Sequence, residues 1–136
     1  MLNDDTVRAA KVVLLVEDEA PIRRMLRMIL ETSGYVVLDA GDGVEGLALC
    51  RNHPGPIDVL LSDVNMPRLG GHELAAGARE MRPELKVLLM SALSEESVFE
   101  RPAVAGAAFL QKPFSSVALE RTLRATLDSQ PHSVPA

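Results

Sequence analysis

A single cysteine, Cys50, stands among 136 residues, so no disulfide can form within the chain and a reducing compartment is expected. As a small hydrophobe in a helical segment, Cys50 is expected in the core. Basic charge is scarce as well. The 14 Lys and Arg residues against 19 Asp and Glu leave a net charge of −5, which argues against a general nucleic-acid binder. No apolar run approaches membrane-spanning length, and the opening MLNDDTVRAAK has no signal-peptide stretch. These absences lead to the expectation of a cytoplasmic protein without membrane insertion or direct nucleic-acid contact. His53, His72 and His132 show no metal-ligand spacing and are expected at the surface. No internal repeat is visible, and the length fits one domain.

Five short apolar runs, rich in β-branched residues, recur instead: KVVLLVE (11–17), YVVLDA (35–40), IDVLLSD (57–63), KVLLMSA (86–92) and AAFLQK (107–112). Most are continuously apolar rather than alternating, as strands of a parallel sheet covered on both faces should be. Between them the period is helical. Ile22, Met25, Leu26, Ile29 and Leu30 form a stripe over 20–33, with Arg23, Arg24 and Arg27 opposite as a solvated face near which a partner can dock. Val44, Leu47 and Ala48 mark a second helix, Leu74, Ala75, Ala78 and Met81 a third, and Leu119, Leu123 and Leu127 a fifth. The fourth connection, LSEESVFERPAVAG, offers Ser94 as an N-cap, but Pro102 limits it to a short fourth helix. Five strands alternating with helices predict a doubly wound α/β fold with a five-stranded parallel sheet. Residues 1–10 read as an N-terminal extension, 11–128 as the domain and 129–136 (SQPHSVPA) as a disordered tail.

In such sheets ligands bind at the carboxyl ends of the strands, and there the polar residues collect. The first strand ends in Glu17 and Asp18, the third in Asp63, the fourth in Ser91 and the fifth in Lys112. Converging carboxylates repel; two charges ~4 Å apart cost about 4 kcal/mol at an effective dielectric near 20. A hard divalent cation removes that conflict, and carboxylates with few protein ligands suit Mg²⁺. Asp63 would then be a nucleophile for a phosphoryl group, with the metal offsetting charge. Ser91 offers a hydroxyl, Lys112 a point charge for phosphoryl oxygen, and Asn65 a backbone carbonyl for the metal. Singly, each has an ordinary explanation: a solvated strand end, a turn former, a surface lysine, or acids favouring a helix N-terminus. Jointly, with Pro113 directly after Lys112, they point to a phosphoryl-transfer site.

LLVEDE, LLSDVNMPRLGG, VLLMSA and FLQKPF, in that order, resemble the landmarks of the receiver domain of two-component response regulators, over about Lys11 to Asp128. MRPELKVLLMSA and AGAAFLQKPF are most similar to receivers of hybrid histidine kinases. The resemblance implies the flavodoxin-like strand order 2-1-3-4-5 and a single-domain signalling phosphoacceptor rather than an enzyme with other substrates. It implies that Asp63 takes phosphate from a histidine kinase or phosphotransfer protein, and that Asp18, Asp63 and the Asn65 carbonyl hold Mg²⁺. Glu17 stands where many receivers have Asp, so its longer arm would reach the metal through water. Ser91 and Lys112 would sense the phosphoryl group, Phe109 would be the aromatic switch without a tyrosine's hydroxyl, and Lys112–Pro113 a cis peptide. Output would run to a downstream protein target or along a phosphorelay.

Two neighbouring chemistries fit less well. A flavodoxin-like cofactor binder needs a phosphate cradle after the first strand, where Glu17 and Asp18 repel phosphate. A haloacid dehalogenase-type phosphatase needs a second acid two residues past its nucleophile, and Asn65 stands there. The remaining alternative is a receiver-like scaffold whose contacts do not depend on phosphorylation. Unchanged partner affinity in Asp63→Ala would favour it.

Overall fold

The computed structural model describes residues 10–92 and 106–129. In chain order the elements are β1 (Val12–Val16), α1 (Ala20–Thr32), β2 (Val36–Ala40), α2 (Gly43–Asn52), β3 (Val59–Asp63), α3 (Gly71–Met81), β4 (Lys86–Ser91), β5 (Ala108–Gln111) and α4 (Ser116–Asp128). The expected short fourth helix, with Ser94 and Pro102, lies outside the described residues, as do nearly all of the expected extension and tail. The helix expected as the fifth is α4.

All strand pairs are parallel, in the order β2-β1-β3-β4-β5. The central strands are apolar on both sides because helices cover both faces: every residue of β1 and β3 is buried. Two cores result. On one face Leu14, Val16, Leu60 and Leu89 meet Leu74 and Ala78 of α3. On the other, Leu15, Leu61 and Met90 meet Leu26 and Leu30 of α1 and Leu119 of α4.

Local chemistry sets the element ends. Gly34 takes a left-handed φ of +100° after α1, so its N–H and that of Tyr35 return to Glu31 and Leu30 carbonyls at 3.0 and 3.1 Å, closing a Schellman motif. Asp42 caps α2 by accepting the Glu45 N–H at 2.8 Å, and Ser115 caps α4 by accepting that of Ala118 at 3.0 Å. Arg82 caps the other end of α2, donating to the carbonyls of Cys50, His53 and Gly55 at 3.1, 2.8 and 2.9 Å.

The helix faces differ from the apolar stripes in several places. Met25, Val44 and Met81 are exposed at 53, 55 and 37%. Within α2 the buried face carries Gly43, Gly46 and Cys50 instead of Val44. The helix lies so close that a Cβ on Gly46 would meet Val16 Cγ2 at 3.1 Å, so small residues rather than large ones mark the inward side. His72, expected at the surface, is buried on the inner face of α3, its ring centroid 6.2 Å from that of Phe109. The arginine face of α1 is only partly solvated: Arg24 is exposed, whereas Arg23 and Arg27 both reach Asp39 of β2.

Candidate functional site

Four strands deliver their last or next residue to one edge of the sheet. Glu17 follows β1, and its N–H donates to the Ala40 carbonyl at the end of β2 at 3.2 Å. Asp63 is the last residue of β3, and the next N–H, that of Val64, donates to Met90 of β4 at 2.9 Å. Lys112 follows β5, held by its N–H to the Ser91 carbonyl at 2.8 Å. Backbone ladders thus continue one residue past the strands and bring distant side chains into register. The Lys112–Pro113 peptide is cis.

At the centre stands Lys112. Its Nζ donates to Glu17 Oε1 at 3.0 Å and to Asp63 Oδ2 at 3.2 Å. Glu17 is wholly buried, and its Oε2 accepts the Glu19 N–H at 3.2 Å. Burial pushes the Glu17 carboxyl above its ordinary value, against the pull of the Lys112 ammonium. For Lys112, burial opposes the charged form, but the bond to Glu17 and the Asp63 charge outweigh it and raise its pKa. The lysine therefore remains a cation facing two acids.

Asp63 keeps 12% of its side chain exposed at the end of an otherwise buried strand. Its Oδ1 accepts the Asn65 N–H at 3.2 Å, which turns the following loop back over the carboxylate. Behind it, Gly71 opens α3 against the backbone of β3: a Cβ there would stand 2.5 Å from the Asp63 carbonyl oxygen. Only glycine allows that approach.

Glu17, Asp18 and Asp63 each offer a carboxylate oxygen, and those oxygens lie within 4.8 Å of one another. This is a hard, anionic, oxygen-only donor set with one member exposed to entry, and such a set suits a divalent cation with retained waters. The donor chemistry fits a metal of that kind.

Of the residues expected in the site, Glu17, Asp18, Asp63 and Lys112 converge directly. Asn65 is exposed in the loop after β3 and touches Asp63 through its backbone. Ser91 is buried at the end of β4, one strand from Asp63. Phe109 lies farther down β5, half-buried and against His72. Arg23 was not expected here, yet its Nη1 donates to the Glu17 carbonyl at 2.6 Å. The only hint in the chain is an arginine one helical turn into α1 with an acid, Asp39, at the end of the neighbouring strand.

Fold and pocket together define a class: a parallel α/β domain with an acid cluster and a lysine at the carboxyl edge of a 2-1-3-4-5 sheet. Residues 13–124 match the family model of the response regulator receiver domain, and the chain belongs to that family. It is 37% identical to the sensor kinase CckA of Brucella abortus over 119 residues, 87% of this chain and 13% of that protein. It is 39% identical to the response regulator MprA of Mycobacterium leprae over 85% of this chain and 50% of that protein. The chain thus spans half or less of the length of these relatives. The CheY fold in the CheX–CheY–BeF₃–Mg²⁺ complex of Borrelia burgdorferi superposes with a TM-score of 0.82 at 26% identity, covering 94% of this chain and 96% of that one. These residues form a receiver domain of the kind found in two-component signal transduction. Among the described residues no helix is long and apolar enough to cross a membrane.

Proposed function

We propose that Asp63 is the phosphoacceptor, taking a phosphoryl group from a phosphohistidine of a histidine kinase or phosphotransfer protein. The observation that carries this reading is the Asp63 carboxylate itself: partly exposed, 3.2 Å from the Lys112 ammonium and within 4.8 Å of two further acids. An Asp63 carboxylate oxygen attacks phosphorus, the P–N bond breaks, and the electron pair leaves with the donor imidazole. Mg²⁺, which the Borrelia complex contains, would be held by Asp18, Asp63 and the Asn65 carbonyl, with Glu17 reaching it through water, and would offset phosphoryl charge.

This chain's own groups do the rest. The Asn65 N–H fixes one Asp63 oxygen. Lys112 neutralises Asp63 before transfer and follows the phosphoryl oxygens after it, with Ser91 donating its hydroxyl to them. Phe109 moves with Ser91, which passes the change to the face around β4 and β5 and so to a downstream protein. The exposed Met28 of α1 and Val117 of α4, which line one surface depression, supply an apolar contact for the kinase or phosphotransfer partner. Residues 11–128 constitute the receiver unit, and its compartment is the cytoplasm.

The test is intact mass after incubation with acetyl phosphate. One phosphoryl adduct that requires Mg²⁺ and is absent in Asp63→Asn supports the reading. No adduct, under conditions that label a known receiver, refutes it.

A further inference from the structure

Asp18 is the exposed member of the acid cluster, and among the described residues its carboxylate has no hydrogen-bond partner. What aims it is therefore the backbone on either side. The peptide that joins Glu17 to Asp18 is gripped at its carbonyl by Arg23 Nη1 at 2.6 Å. The same guanidinium is itself held: its Nε lies 3.6 Å from Asp39 Oδ2, and Asp39 Oδ1 accepts Arg27 Nη1 at 2.8 Å. Gly41 leaves the room, since a Cβ there would stand 3.3 Å from Arg23 Nη1. Arg23 and Asp39 have 22 and 27% of their side chains exposed, so the arrangement is partly shielded from water.

We propose that Arg23 is a positioning residue: braced on Asp39, it holds the Glu17–Asp18 peptide so that the Asp18 carboxylate faces Asp63 ready for the metal. The inference rests on the function proposed above and adds to it a clamp outside the pocket, built from α1 and β2. Arginine suits the role because its planar guanidinium holds its N–H donors in a fixed fork, so one group can serve a carbonyl and a carboxylate in set directions, whereas a lysine ammonium is a point charge on a flexible stem. Partners that orient metal ligands from behind are worth about 10–100-fold in metal affinity.

The experiment is a Mg²⁺ titration of ¹⁵N-labelled protein followed through backbone amide shifts, paired with the rate of labelling by acetyl phosphate. Arg23→Ala is expected to move the metal-free amide signals of Asp18 and Glu19 and to raise the Mg²⁺ dissociation constant about tenfold. The labelling rate at saturating Mg²⁺ stays near that of the wild type, because the nucleophile is untouched. Arg23→Lys recovers part of the affinity and Asp39→Asn loses part of it. Adding Asp39→Asn to Arg23→Ala costs nothing more, since the two act as one unit. If Arg23→Ala does not fold, unchanged Mg²⁺ affinity in both Arg23→Lys and Asp39→Asn overturns the clamp. A folded Arg23→Ala with wild-type affinity and unmoved amides overturns it directly. A wild-type chain that neither binds Mg²⁺ nor takes a phosphoryl group overturns the proposed function, and the clamp with it.

Discussion

Replacing Lys112 by methionine keeps an unbranched side chain one atom shorter and removes the charge that holds the pocket together without metal. Lys112 faces Glu17 at 3.0 Å and Asp63 at 3.2 Å. At those separations and an effective dielectric of ~20, each pair attracts by about 5 kcal/mol, most of it offset by desolvation of the ions. Removing one partner of a buried pair costs roughly 3–5 kcal/mol because the other charge is left unpaired. With 21% of the lysine side chain exposed, the low end applies, about 3 kcal/mol. In a domain of this size that lowers Tm by about 10 °C at pH 7.5 without divalent ions.

The pH dependence follows from Glu17. Its carboxyl is held above the ordinary 4.5 by burial and pulled back by Lys112, so the substitution raises it further. A carboxyl with a raised folded-state pKa contributes stability that is complete below the unfolded value and lost as pH rises through the folded one. The deficit of Lys112→Met is therefore largest at neutral pH and shrinks as pH falls toward 4.5. Mg²⁺ should restore more stability to the variant than to the wild type, because it replaces the missing positive charge. Thermal denaturation followed by far-ultraviolet circular dichroism, with and without Mg²⁺, reads all three effects. A variant that melts within about 2 °C of the wild type at pH 7.5, with no added dependence on pH or Mg²⁺, would show that the Lys112 charge does not hold the pocket together.

Glu17→Gln keeps the buried shape and removes the titration. The metal-free wild type should lose stability as pH rises from 4.5 through the elevated Glu17 value, and urea midpoints of the variant should stay level across that range; a parallel fall in both assigns the dependence elsewhere. Arg82→Met strips three carbonyls of their common donor and should cost about 3 kcal/mol by urea denaturation, at roughly 1 kcal/mol per bond, while leaving acetyl phosphate labelling of the folded protein unchanged.

The sheet could be read in the chain because parallel strands covered on both faces must be continuously apolar, and VVLLV and VLLSD are buried throughout. The pocket could be read for a related reason. A charge that ends such a run, as Asp63 does, has one place to go, the strand's carboxyl edge, and the other strands end there as well. Strand edges were legible to within two residues: the run from Ile57 contributes a buried side chain, but β3 begins only at Val59. Helix faces were harder to read. Val44 looked like core, but α2 approaches β1 through Gly46, and that distance is set by packing rather than by hydropathy. His72 looked like surface because an imidazole's place depends on its neighbours across the sheet, here Phe109, 37 positions away in the chain. The contact of Arg23 with the Glu17 carbonyl was barely legible, hinted at by Asp39 alone. An arginine on a polar helix face appears the same in a sequence whether it meets water or the carbonyl of Glu17.

Under the proposed function Asp63 itself carries the phosphoryl group. Reduction of the acetyl phosphate-treated protein with borohydride converts an aspartyl phosphate to homoserine, which tandem mass spectrometry of the peptide spanning LLSDVNMPR can place. Homoserine at position 63, formed only when Mg²⁺ was present during labelling, is the predicted result. Homoserine at Asp18 or another aspartate, or unmodified Asp63 in protein that carries a phosphoryl adduct, would contradict it.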